Sequence, residues 1–167
     1  DENRFPGCQG GTVKNQSAAN TVCYNAALSP DFREYTKQIV NNATTLSNSF
    51  QEQGLRVVSG GTQNHLVLVD TRSVDDELTG KEAGILLNER GITLNRNSIP
   101  FDPRSPFVTS GIRMGTPAVT TCGMKEEELT KVGYLISEIM KNRSDIKKLD
   151  GLEKEVRDLA TSFQPYA

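Results

Sequence analysis

An α/β layer fold (α+β in the looser sense), with helices on one face of a small sheet, is what this sequence predicts, on three observations. Two β-rich runs, Leu55 to Ser59 and His65 to Thr71, are separated by Gly60-Gly61-Thr62, the pattern of neighbouring strands joined by a turn. Around them lie segments with apolar residues at steps of three and four, the helical period. Strand-like and helix-like segments then alternate along the chain, as layered folds require. A chain of 167 residues, 35% hydrophobic and 24% charged, is of the size and composition of one folded domain, or of a domain with an attachment.

Taken in order, Asn3 to Thr12 (NRFPGCQGGT) is too rich in Gly and Pro for a helix or central strand and reads as a loop. Val13 to Leu28 is polar, contains alanine and has weak helical periodicity, so a helix is expected there. Ser29-Pro30-Asp31 supplies an N-cap, a first-turn proline and a first-turn acid. Phe32, Tyr35, Ile39, Ala43, Leu46 and Phe50 follow on one face, and Gly54 ends the run. This predicts an amphipathic helix long enough to connect two bodies. After the two strands, Thr79 and Glu82 form a capping box, Ala83, Leu86 and Leu87 give the apolar face, and Gly91 ends the helix. Ile92 to Leu94 reads as a short strand, Asn97 to Thr109 as a proline-rich surface loop, and Thr109 to Met114 as a strand carrying Arg113. Two helices close the chain, Lys125 to Asn142 and Leu152 to Phe163.

Several function classes are excluded by composition. No apolar run approaches the roughly 18 residues of a spanning helix, and Asp1-Glu2-Asn3-Arg4 lacks the apolar core of a signal peptide. No membrane association is expected. The formal net charge is -2 with both signs spread along the chain, so no basic face for nucleic acid is expected either. The first residue is not methionine, which suggests an internal or processed start of something longer. One histidine and three cysteines, Cys8, Cys23 and Cys122, match no zinc or redox spacing. An odd number of thiols without an export signal points to a reducing compartment, the cytoplasm by default, with an organellar form left open. The sequons at Asn15, Asn42 and Asn142 then read as chance matches.

Few residues suggest chemistry. Arg113 lies in SGIRMGTPA, between glycines on a strand, where its planar guanidinium can take a carboxylate bidentately. A solvated or structural arginine is the commoner case. The Gln9-Gly10-Gly11 turn can present backbone N–H groups to a phosphate, although a plain turn is commoner. His65 heads the most apolar strand and reads as structural, since no nucleophile-elbow sequence accompanies it. Glu126 to Glu128 complement a helix dipole.

Taken together, FPGCQGG, then VVSGGTQNHLVLVD, then GITLNRNSIPFDPRSPFVTSGIRMGTPAVTTCGM, with a terminal FQPYA, closely resemble the C-terminal part of serine hydroxymethyltransferases. The resemblance runs from Asn3 to Ala167. It implies a fold-type I enzyme dependent on pyridoxal 5'-phosphate that interconverts serine plus tetrahydrofolate with glycine plus 5,10-methylenetetrahydrofolate. On this likeness residues 1–28 are the tail of the large cofactor domain and 29–54 a connecting helix. Residues 55–167 are then the small domain, with a mostly antiparallel sheet. Arg113 resembles the arginine that grips the substrate carboxylate, Asn97 the asparagine that bonds the folate pteridine, and Ser105, Pro106 and Phe107 the loop lining the folate site. Gly10 and Gly11 resemble a turn that reaches the cofactor phosphate of a neighbouring subunit, implying a homodimer or dimer of dimers.

The Schiff-base lysine of the family lies in a motif upstream of FPG and is not found here, so the isolated chain is expected to be inactive. Thr12, Asn15, Gln63 and Cys122 depart from the family pattern, which puts the cofactor-side contacts in question more than the Arg113 grip. The alternative reading is a stand-alone, non-catalytic module that binds folate or serves in regulation or assembly.

Overall fold

The computed structural model describes residues 3, 7, 8, 10, 11 and 13–163. Gln9, Thr12 and most of the terminal FQPYA lie outside them. The chain divides into two compact units, Asp1–Thr36 and Lys37–Ala167.

In the first unit, helix α1 (Lys14–Ala27) buries none of its residues, and Val22, Tyr24 and the following Leu28 are exposed. Helix α2 (Pro30–Glu52) starts as its sequence dictates: Ser29 Oγ accepts from the Phe32 N–H at 3.2 Å, and Asp31 lies in the first turn. Phe32 and Tyr35, one turn apart, place their rings 6.0 Å from each other.

In the second unit the rest of α2 buries Ile39, Ala43, Leu46 and Phe50, four of the predicted positions. It also buries Asn42, Ser47 and Ser49, which periodicity does not flag. Asn42 is fully buried and satisfied: its amide donates to Thr120 Oγ1 (2.8 Å) and the Met124 carbonyl (2.9 Å) and accepts from Gln38 (3.0 Å). A sequon asparagine so placed cannot carry a glycan. The chain turns at Gly54, at φ +81°.

The sheet has four strands, β1 (Arg56–Val57), β2 (Leu66–Asp70), β3 (Asn95–Asn97) and β4 (Gly111–Gly115), in the order β1-β2-β4-β3, every pair antiparallel. Val67, Val69 and Ile112 are buried in one core cluster with residues of α2, α3 (Gly80–Glu89), α5 (Glu126–Lys141) and α6 (Ile146–Thr161), and α3 packs on the sheet. Thr79 and Glu82 make the predicted reciprocal capping box on α3.

The Leu55–Ser59 run is a strand only at Arg56–Val57, since Val58–Gly60 winds into a 3-10 turn, and three further elements differ from the sequence expectation. The strand near residue 93 forms at Asn95–Asn97 instead, because Ile92 and Leu94 pack against the core while the polar NRN segment supplies the backbone that pairs with β4. Helix α6 begins at Ile146, six residues early, since Asp145 accepts from Lys148 N–H as its N-cap. A short helix α4 (Pro117–Thr121) follows β4, with Pro117 in its first turn.

Candidate functional site

Strand β4 is flanked on both sides, and its register fixes what surrounds Arg113. Arg113 pairs with Leu68 on β2 and Asn95 on β3, while Gly111 pairs with Asp70 and Asn97. Directly opposed residues share a face, and alternate residues return to it. Arg113, Gly111, Asn97 and Leu68 therefore lie on one face, opposite the one where Ile112 is buried. Arg113 is exposed, and among the described residues its guanidinium makes no hydrogen bond or ion pair. Asn97 is its diagonal cross-strand neighbour, a relation that puts Cβ atoms roughly 7–8 Å apart or slightly less.

Glycine directly opposite Asn97, at position 111, is required by packing. A Cβ on Gly111 would stand 2.7 Å from the Asn97 carbonyl oxygen and 2.8 Å from Ile99 Cγ2. Arg113 borders two surface cavities. One, of about 760 Å³, is lined by Lys81, Asn88, Asn95 and Arg96 among others; the second, of about 650 Å³, lies under the 58–64 turn with Leu66 and Leu68. Both are roomy for an amino acid, and the first carries Lys81, Arg96 and Arg113 against the single carboxylate of Glu89.

The loop from Ser98 to Ser110 is shaped by Asp102, a residue with no periodic signal in the sequence. Its Oδ2 accepts from the N–H groups of Ile99 (3.2 Å) and Ser110 (2.9 Å). Its Oδ1 accepts from the N–H of Arg104 (3.0 Å) and the Ser110 hydroxyl (2.7 Å). Burial pushes this carboxyl up, but the Ser110 hydroxyl and the three backbone N–H groups outweigh it and bring the pKa from 3.8 down to about 2. Arg104 anchors the loop through the Leu78 carbonyl at 2.8 Å. Thr109, buried at φ +61°, and Gly80 seat the loop on α3: a Cβ on Gly80 would overlap Thr109 Oγ1 and the Gly111 carbonyl. The available signal for Asp102 was an acid flanked by prolines after a strand, which is common to many turns.

The structure thus places Asn97 and Arg113 on one face of the β3–β4 pair, and the 98–110 loop joins these strands at their Asn97 and Gly111 ends. Ser105, Pro106 and Phe107 are all exposed on that loop, Phe107 by 78%. Gly10 and Gly11 belong to the other unit and are exposed. His65 is exposed too, and its carbonyl accepts from the Thr116 N–H at 3.1 Å. A buried carboxylate, Asp70, accepts from Arg72 (2.8 and 3.0 Å) and Arg56 (2.7 Å). Burial raises its pKa, and the two guanidinium groups bring the net shift below the ordinary value. This cluster ties β1 to the end of β2. Among the described residues no cluster of His, Cys, Asp or Glu is set to hold a metal, and no helix is long and apolar enough to cross a membrane.

Pyridoxal phosphate, implied by the family resemblance, needs a phosphate cradle and an imine-forming lysine. A Cβ built on Gly10 or Gly11 meets no atom within 4 Å. Gly10 and Gly11 therefore offer open backbone to a phosphate, and among the described residues they do not form a closed cradle by themselves.

Comparison with known proteins adds two findings. The family model described as serine hydroxymethyltransferase matches residues 1–136. A serine hydroxymethyltransferase from Myxococcus xanthus (strain DK1622) is 48% identical over 163 residues, which is 98% of this chain and 38% of that protein. The chain thus spans well under half the length of that curated relative.

Proposed function

The chain belongs to the serine hydroxymethyltransferase family, and from that premise we propose that it supplies the carboxylate grip and part of the folate site of such an enzyme. The reaction is the interconversion of serine plus tetrahydrofolate with glycine plus 5,10-methylenetetrahydrofolate. Residues 1–28 are read as the tail of the large domain, 29–54 as the connecting helix and 55–167 as the small domain. The Schiff-base lysine and most of the pyridoxal phosphate site fall to the remainder of the enzyme, with Gly10 and Gly11 reaching the phosphate across a homodimer or dimer of dimers. The isolated chain has no turnover on this reading, and the enzyme works in the cytoplasm.

The observation that carries the reading is the shared face of Arg113 and Asn97 beside the clasped loop. Arg113 offers two parallel N–H donors to a carboxylate, which fixes the amino acid's position and its rotation about that bond. Asn97 offers an amide that both donates and accepts, the complement of a pteridine edge. Ser105, Pro106 and Phe107 are exposed on the same loop and would exclude water from the bound folate.

The test is Asn97→Ala in the protein that carries this chain. Tetrahydrofolate binding is expected to weaken about tenfold, the loss of one to two hydrogen bonds, with folate-independent cleavage of hydroxy amino acids nearly intact. Equal loss of both activities would overturn the folate assignment.

A further inference from the structure

We propose that Phe101 is a ligand-contacting residue, whose ring stacks on the flat heteroaromatic part of the substrate lined by the 98–110 loop. This rests on the folate reading of that loop. The Asp102 N–H donates to the Ile99 carbonyl at 3.1 Å, closing a four-residue turn with Pro100 and Phe101 at its centre. Proline fixes its own φ near −65°, and Phe101 has φ +56°, so this is a type II turn.

The third position of such a turn calls for glycine or asparagine, because a Cβ there is strained. Phenylalanine is a poor choice for that backbone. Nor does the ring gain anything within the chain: Phe101 is 103% exposed, against 78% for Phe107. The residue is thus costly in the isolated fold on two counts, backbone strain and an apolar ring in water. A strained residue persists where its surroundings over-determine it, and such residues cluster at ligand clamps. Here the surroundings are the four hydrogen bonds to Asp102, the next residue, and the loop is the one that carries Ser105 to Phe107. With Phe107 also exposed on this loop, a planar ligand that covers the Phe101 ring is the occupant that fits a protruding aromatic beside the folate-lining residues.

The experiment compares Phe101→Asn, Phe101→Trp and Asn97→Ala in the protein that carries this chain, by thermal unfolding and by equilibrium binding of 5-formyltetrahydrofolate and of serine. Asparagine suits the left-handed backbone, so Phe101→Asn is expected to raise Tm by a few degrees while weakening folate binding about tenfold, the effect of one lost stacking contact. Serine affinity stays unchanged, and Phe101→Trp retains folate affinity. If Phe101→Asn leaves folate affinity unaltered while Asn97→Ala weakens it, the Phe101 proposal fails and the folate reading stands. If neither variant affects folate, the reading of the loop itself is wrong. A change in subunit association with folate affinity intact would make the ring a subunit contact and would also overturn the proposal.

Discussion

Replacing Asp102 by asparagine isolates the clasp that shapes the candidate folate loop. The carboxylate accepts four hydrogen bonds, two on each oxygen. An amide can accept on one side only. On the other its NH₂ faces two donors, although the Ser110 hydroxyl can turn to accept. Two lost bonds to a charged group, part of which the hydroxyl recovers, amount to about 2–3 kcal/mol at neutral pH. The pH dependence is the sharper part. The folded pKa, about 2, lies below the ordinary 3.8, so the ionised carboxylate contributes stability that is fully present above pH 3.8 and is lost as pH falls through 2. The full shift corresponds to ~2.4 kcal/mol, and partial exposure of the group reduces this to about 1–2 kcal/mol. Urea unfolding of wild type and Asp102→Asn at pH 7, 5 and 3 should show the gap constant between pH 7 and 5 and narrowing by pH 3. A gap below 0.5 kcal/mol at pH 7, or one that widens with acid, would refute the clasp.

Gly133→Ala tests the contact between α2 and α5. An added Cβ would lie 2.5 Å from Ser49 Oγ and 2.7 Å from Ser49 Cβ, and Ser49 is held by its bond to the Thr130 carbonyl at 2.9 Å. Overpacking of about 1–3 kcal/mol should outweigh the gain of up to ~1 kcal/mol from replacing a helical glycine. Denaturant melts should therefore show net destabilisation, largely relieved when Ser49→Gly is added. Gly80→Ala should be worse, because its new Cβ meets backbone at Gly111, and no partner substitution should rescue it.

Local signals made much of this fold legible. Thr79 and Glu82 cap α3 as read, Ser29 caps α2, and the Gly60-Gly61-Thr62 turn joins two antiparallel strands. Arg113 was visible as an alternating position between Ile112 and Met114. What escaped reading depends on tertiary context. Strand β3 is formed by Asn95-Arg96-Asn97, residues with little β preference that pair because β4 lies beside them. Gly151 interrupts the stripe of Leu149, Leu152 and Val156, which concealed the first turns of α6. Asp102 has no periodic signature, since its four partners are turn backbone and one serine. The burial of Asn42 depends on residues 78 and 82 positions away.

The carboxylate grip assigned to Arg113 is tested by the dissociation constant for serine in the protein that carries this chain, with and without Arg113→Ala. Losing one end of a charged bidentate pair should weaken binding by ~3 kcal/mol, about 100-fold in Kd, with Arg113→Lys recovering only part of it. Equal serine affinity in wild type and Arg113→Ala would contradict the carboxylate grip and with it the role assigned to this face of the sheet.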